Sequence, residues 1–207
     1  MVFPHDKRLG WLNSRASKNE NWYKNLRLRH LLEMESGLNW QEDYEVSPNS
    51  PFLKMLFGKG LNNTPQFALS VPMLHPPGLR FNYSGGNTNI IMAILENTMS
   101  KDPNAIAKEL LFKPIGATSA FYETDRAGHL LSSSHLQIKP EDLLRIGYLF
   151  LNDGVWKNQR ILPEHWVKQA HKPASSLTAD NHRNSYRYIR KVGTYGSAGL
   201  WINKKLT

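Results

Sequence analysis

The sequence has 207 residues, of which 40% are hydrophobic and 11% aromatic, enough for a packed core and unlike a disordered chain. It contains no cysteine, which excludes disulfides and thiol catalysis and leaves the compartment open. The formal charge is +9, yet the basic residues are spread from Lys7 to Lys205 and no nucleic-acid motif accompanies them.

The densest basic clusters, Arg183-Arg187-Arg190-Lys191 and Lys204-Lys205, lie near the end. They read as a solvated surface, so no nucleic-acid partner is expected. Eight histidines without a His-Glu-x-x-His spacing argue against a zinc site, and no metal or cofactor is expected. No apolar run is long enough for a transmembrane segment. Met1 to Asp6 has no signal-peptide character.

Residues 1 to 25 are polar and Asn-rich, punctuated by Trp11, Trp22 and Tyr23, and read as loop with room for one short helix. Leu28 to Glu35 is expected as a helix closed by Ser36-Gly37. His30 lies on it and has no partner in sequence, so it reads as a surface or core histidine and not a catalyst. Asn39 to Asn49 reads as a loop whose acidic residues, Glu42, Asp43 and Glu45, are solvated charges. Ser50-Pro51 and Thr64-Pro65 are cap-proline pairs, each opening a short helix: Phe52 to Phe57, and through Leu69 or Ser70.

Pro76-Pro77-Gly78 forces a turn. Arg80 to Tyr83 can lie extended against a core. Ser84 and Asn87 can both cap the long helix that follows, which carries Ile90, Ile91, Ala93, Ile94 and Leu95. So apolar a helix is expected to be buried on most of its surface. Tyr83 therefore stands before the N-terminus of a buried helix, beside glycines that leave room around it. A phenol there can exchange a proton with a bound group, and the helix N-terminus favours the phenolate. It can equally be a core tyrosine bonded to a backbone carbonyl.

Asp102-Pro103 opens a helix to Phe112, stopped by Lys113-Pro114-Ile115-Gly116. Gly128 to Ser134 is a short buried strand or turn, with Ser132, Ser133 and Ser134 as residues that could support a site or simply form a turn. Pro140 to Asn152 is an amphipathic helix closed by Asp153-Gly154. Pro163-Glu164 opens another with Trp166 and Val167. Residues 171 to 185 read as surface loop, and Tyr195 to Asn203 as the beginning of a strand. No repeat or linker divides the chain, so one domain over 1–207 is expected.

Three of these segments carry a resemblance. Tyr83-Ser84-Gly85-Gly86-Asn87 resembles the tyrosine-containing second motif of serine β-lactamase-like hydrolases: class C β-lactamases, D-alanyl-D-alanine carboxypeptidases, related esterases and 6-aminohexanoate-oligomer hydrolases. Leu28 to Leu38 resembles the helix and Ser-Gly-Leu segment that follow the family's nucleophile helix. Leu136 to Trp166 resembles its later helix, glycine turn and Pro-Glu-x-Trp helix. The resemblance covers roughly Leu26 to Trp201.

It implies an acyl-enzyme hydrolase of an ester, amide or peptidoglycan-type bond in a small molecule, with Tyr83 as the catalytic proton-transfer group. Family members also use a nucleophilic serine in Ser-x-x-Lys, where the lysine one turn later lies on the serine's face of the helix. No serine here has lysine three residues on; Ser14 is followed by Ser17, and Ser17 by Glu20. The family's third motif is matched only superficially by Lys191-Val192-Gly193-Thr194. Tyr195 to Trp201 resembles the strand before that motif instead. The expectation is a fragment truncated at both ends, without the nucleophile. The competing reading is a non-catalytic homologue, or a truncated product that binds a ligand or partner.

The usual Tyr-x-Asn has Gly85 at its third position, which argues against strong β-lactam hydrolysis. The fold implied is α+β (α/β in the broad sense): the helix-rich part of a β-lactamase/DD-peptidase-like fold, with little of the main antiparallel sheet. The missing sheet is expected to leave apolar surface exposed. The resemblance favours a periplasmic or extracellular location for the full-length protein and leaves substrate and oligomeric state open.

Overall fold

The computed structural model describes residues 20–42 and 49–172, and the backbone of 194–195 and 201–202. The readings at Asp43, Glu45 and Lys191, and most of 171–185, lie outside the described residues.

The helices come in chain order as α1 (Glu20–Asn25), α2 (Leu28–Leu32), α3 (Pro51–Leu56), α4 (Thr64–Ser70), α5 (Gly85–Met99), α6 (Pro103–Ala107), α7 (Pro140–Leu151) and α8 (Trp166–Ala170). Strands are short and pair antiparallel in twos: β1 (Phe121–Tyr122) with β2 (Leu136–Gln137), β3 (Val155–Trp156) with β4 (Gln159–Arg160), and β5 (Thr194–Tyr195) with β6 (Trp201–Ile202). The structure is thus helix-rich with only small ladders, as the sequence led us to expect. Tyr195 to Asn203, read as one strand, supplies parts of two paired strands.

Side-chain caps explain four of the eight described helix starts. Ser50 Oγ accepts from Leu53 N–H at 3.3 Å, with Pro51 at the first helical position. Asp102 Oδ1 accepts from Ala105 N–H at 2.8 Å. At α4 the cap is Asn63, whose Oδ1 accepts from Gln66 N–H at 2.9 Å. Thr64 was the residue expected there. It lies inside the helix and donates its N–H and hydroxyl to Asp125 Oδ2, at 2.7 and 3.0 Å.

Helix ends differ more from expectation. α2 stops at Leu32, before Glu35, because Met34 turns left-handed at φ 58° and Glu35 N–H bonds back to His30 carbonyl at 2.7 Å. The helix from Asp102 changes hydrogen-bond spacing after Ala107 and runs as a π-helical turn over Lys108–Phe112.

One core cluster joins Leu26, Leu31, Leu38, Trp40, Met55, Leu69, Ile90 and Leu131, with α4 and α2 packed on α5. Each such fully buried leucine or isoleucine contributes roughly 1.5–3 kcal/mol. A second cluster joins Phe112, Ile115 and Leu149, with Trp156 and Leu162 against it. α5 is buried most deeply at its start, where Gly85, Gly86, Asn87, Asn89 and Ile90 are enclosed. From Ile91 to Glu96 it is only half-buried. α7 buries Leu149 but leaves Leu143, Leu144, Tyr148 and Leu151 exposed, Leu151 at 82%. Its apolar residues thus exceed what the core takes up, in line with the expected exposed surface. No described helix is long and apolar enough to cross a membrane.

Candidate active site

Three stretches far apart in sequence meet at the head of α5. The first is 34–42, the second 81–87 and the third 131–134.

From Leu38 to Glu42 alternate residues of the first stretch point inward. Leu38, Trp40 and Glu42 are buried, while Asn39 is half-buried and Gln41 exposed. Asn39 N–H donates to Pro72 carbonyl at 2.8 Å, and Leu38 bridges Met73. The second stretch is tied to the first. Asn82 N–H donates to Met34 carbonyl at 2.7 Å. The Asn82 amide donates to Leu38 and Trp40 carbonyls at 3.2 and 2.9 Å. Phe81 is buried beneath it.

Tyr83 follows Asn82 directly and is half-buried. Ser84, next in line, is 1% exposed and caps α5, its Oγ accepting from Asn87 N–H at 3.2 Å. Tyr83 therefore stands between two residues whose side chains are both committed to holding the backbone. It sits at the positive end of a fifteen-residue helix.

Asn87 does not cap the helix with its side chain. Its Oδ1 accepts from Ser36 Oγ at 2.8 Å, and its amide donates to Leu31 carbonyl at 3.4 Å. Asn87 is fully enclosed and acts as a tie between α5 and the Ser36-Gly37-Leu38 turn.

The two glycines after Ser84 are required by close approach. A Cβ on Gly86 would lie 2.6 Å from Trp40 Cζ3. A Cβ on Gly85 would lie 2.8 Å from Glu42 Oε1 and 2.9 Å from Ser133 Cβ. Glu42 Oε1 accepts from Gly85 N–H and from the Trp40 indole N–H, the latter at 2.9 Å. Burial pushes the Glu42 carboxyl up to about 7, opposed by those two donors. Glu42 is 6% exposed, so it is not the solvated loop charge expected from sequence. The signal was present in the period-2 register of Leu38, Trp40 and Glu42, which places all three on the core side.

Ser133 faces Gly85, and the Oγ atoms of Ser132 and Ser133 are enclosed without a hydrogen-bond partner. Ser134 Oγ pairs with His135 Nδ1 at 2.5 Å. His30 is a core histidine. Its Nδ1 accepts from Arg27 N–H at 3.1 Å, and its Nε2 lies against the Gly78 turn. Burial, then Arg29 and Arg27, lower its pKa to about 4, so it is neutral at pH 7. Among the described residues no group of three or more His, Asp or Glu gathers as a metal site.

The β-lactamase family model matches residues 6–203. The chain belongs to the β-lactamase family. Solved structures agree in fold. A candidate β-lactamase from Bacteroides dorei DSM 17855 is 23% identical, with TM-score 0.61 over 87% of this chain and 54% of its own. A candidate 6-aminohexanoate-dimer hydrolase from Bacillus anthracis is 21% identical, with TM-score 0.62 over 72% of this chain and 42% of its own. A penicillin-binding protein from Bacillus halodurans is 16% identical, with TM-score 0.61 over 94% of this chain and 64% of its own. The chain thus spans about half the length of the first two. No curated protein sequence matches it. As a member of this family it has a hydrolase fold, and the helix-rich, sheet-poor architecture is a part of that fold.

Proposed function

We propose that this chain forms the helical part of a serine hydrolase that cleaves an ester, amide or peptidoglycan-type bond in a small molecule through an acyl-enzyme. Tyr83 is its proton-transfer group. The observation that carries this reading is the setting of Tyr83: half-buried, held between the tied Asn82 and the capping Ser84, at the positive end of α5.

The chemistry assigns the parts as follows. A serine Oγ attacks the carbonyl carbon, and the Tyr83 oxygen takes the hydroxyl proton and delivers it to the leaving alcohol or amine. Water then hydrolyses the serine ester. A phenol has an ordinary pKa near 10, so it needs positive neighbours to accept a proton near neutrality. The head of α5 supplies part of that, and a motif lysine supplies more. The 207 residues contain no Ser-x-x-Lys, so the nucleophile is proposed to come from a helix that this sequence does not contain. The same observation favours a second reading, in which this polypeptide as given is a non-catalytic homologue or a truncated product that binds a ligand or partner.

Labelling with a fluorophosphonate and with a fluorescent penicillin, read by intact mass, separates the two. A polypeptide joining this chain to a Ser-x-x-Lys helix takes one adduct on that serine, and the 207-residue chain takes none. An adduct on the shorter chain, or a longer protein that neither labels nor hydrolyses esters, would contradict the proposal.

A further inference from the structure

Glu42 packs closely under the head of α5. Its carboxyl fills the space in which a side chain at position 85 would begin, 2.8 Å from the ideal Cβ position of Gly85. One oxygen, Oε1, receives both the Gly85 N–H and the Trp40 indole N–H. Gly85 N–H belongs to the first turn of α5, where backbone donors have no partner within the helix. The Trp40 ring in turn lies on Gly86. One carboxyl oxygen therefore fixes two consecutive contacts of the segment that begins at Tyr83.

We propose that Glu42 is a positioning residue for Tyr83, holding the first turn of α5 by the Gly85 N–H and setting the charge that Tyr83 experiences there. This rests on the reading of Tyr83 as the proton-transfer group. Among the described residues, the groups shown at the carboxyl come from three segments. From α5 comes the Gly85 backbone, two residues after the titratable Tyr83. From the 131–134 turn comes Ser133, and from the carboxyl's own segment Trp40. No charged side chain contributes to the raised pKa of Glu42, which burial causes. An ionised carboxylate at this place takes up the positive end of the α5 dipole, and the Tyr83 phenolate loses that support.

The test is a pH titration of the full chain by NMR, following the Gly85 amide and the Tyr83 ring carbon that bears the hydroxyl. In the wild type both resonances are expected to move with one common midpoint near 7, the value set by Glu42. In Glu42→Gln the amide oxygen still accepts both N–H groups but does not ionise, so both resonances stay flat from about pH 5 to about pH 8. A Tyr83 signal that stays flat in the wild type while Gly85 moves would overturn the proposal, as would a Tyr83 midpoint unchanged in Glu42→Gln. If the variant does not fold, the wild-type titration decides alone. Neither substrate nor nucleophile is needed, so this outcome is separate from the fate of the hydrolase reading. A common midpoint alongside an active Tyr83→Phe protein would remove that reading and keep the coupling.

Discussion

Ser36 donates a buried 2.8 Å hydrogen bond to Asn87, across 51 residues of sequence. This bond ties the turn after α2 to the first turns of α5. Asn87 is enclosed completely and Ser36 is 3% exposed, so water cannot replace a lost partner easily. Ser36→Ala should therefore cost about 1–3 kcal/mol, the penalty for stranding a buried acceptor. Urea melts would measure it, and an unchanged midpoint would show that Asn87 finds another donor.

Gly86 tests the packing half of the same joint. Its Cβ would fall 2.6 Å from the Trp40 ring, whose indole is also held by Glu42. Gly86→Ala should destabilise by about 1–3 kcal/mol through overpacking. Combined with Trp40→Leu, which removes the obstructing ring, the loss should be less than the sum of the two single changes. Simple additivity in thermal or urea melts would place the strain elsewhere.

Burial of Glu42 makes a pH prediction with a definite sign. Its folded pKa is about 7 against an ordinary 4.5, so between these values the folded chain binds more protons than the unfolded one. Stability should fall as pH rises from 4.5 to 7 and stay level above. The full effect is on the order of 3 kcal/mol, since one pKa unit is about 1.4 kcal/mol. Glu42→Gln should be more stable than wild type at pH 8 and lose most of that advantage at pH 5. Equal pH dependence in both proteins would contradict the assignment.

His30 acts in the opposite direction. Its folded pKa is about 4 against an ordinary 6.5, so the unfolded chain takes up the extra proton. Stability from this group is present above 6.5 and is lost as pH falls towards 4. His30→Gln should flatten the acid limb, by on the order of 2 kcal/mol at pH 4. Urea melts at pH 4 and pH 7 for both proteins would check it.

Much of this architecture was legible from local chemistry. Ser50, Ser84 and Asp102 cap where the sequence placed them, because a short polar side chain before a helix has few better uses. Tyr83 was singled out because it precedes an apolar helix, stands beside two glycines and falls in the register of the family's tyrosine motif. Glu42 was misread because its partner Gly85 lies 43 residues away, although the alternation of Leu38, Trp40 and Glu42 already turned it to the core. Asn87 was misread for the same reason, its partner being Ser36. The stop of α2 at Leu32 was missed because the left-handed Met34 that follows it is set by long-range ties, such as Asn82 N–H to its carbonyl.

Hydrolysis by a Tyr83→Phe variant tests the central claim most directly. The change removes one oxygen and keeps the ring, so the fold should be unaffected. In a protein carrying this chain and its Ser-x-x-Lys helix, kcat on a cleaved ester should fall by roughly 10²–10⁴-fold, the usual worth of a positioned acid-base group, while KM changes little. Wild-type turnover in Tyr83→Phe would make Tyr83 a packing residue and contradict the account.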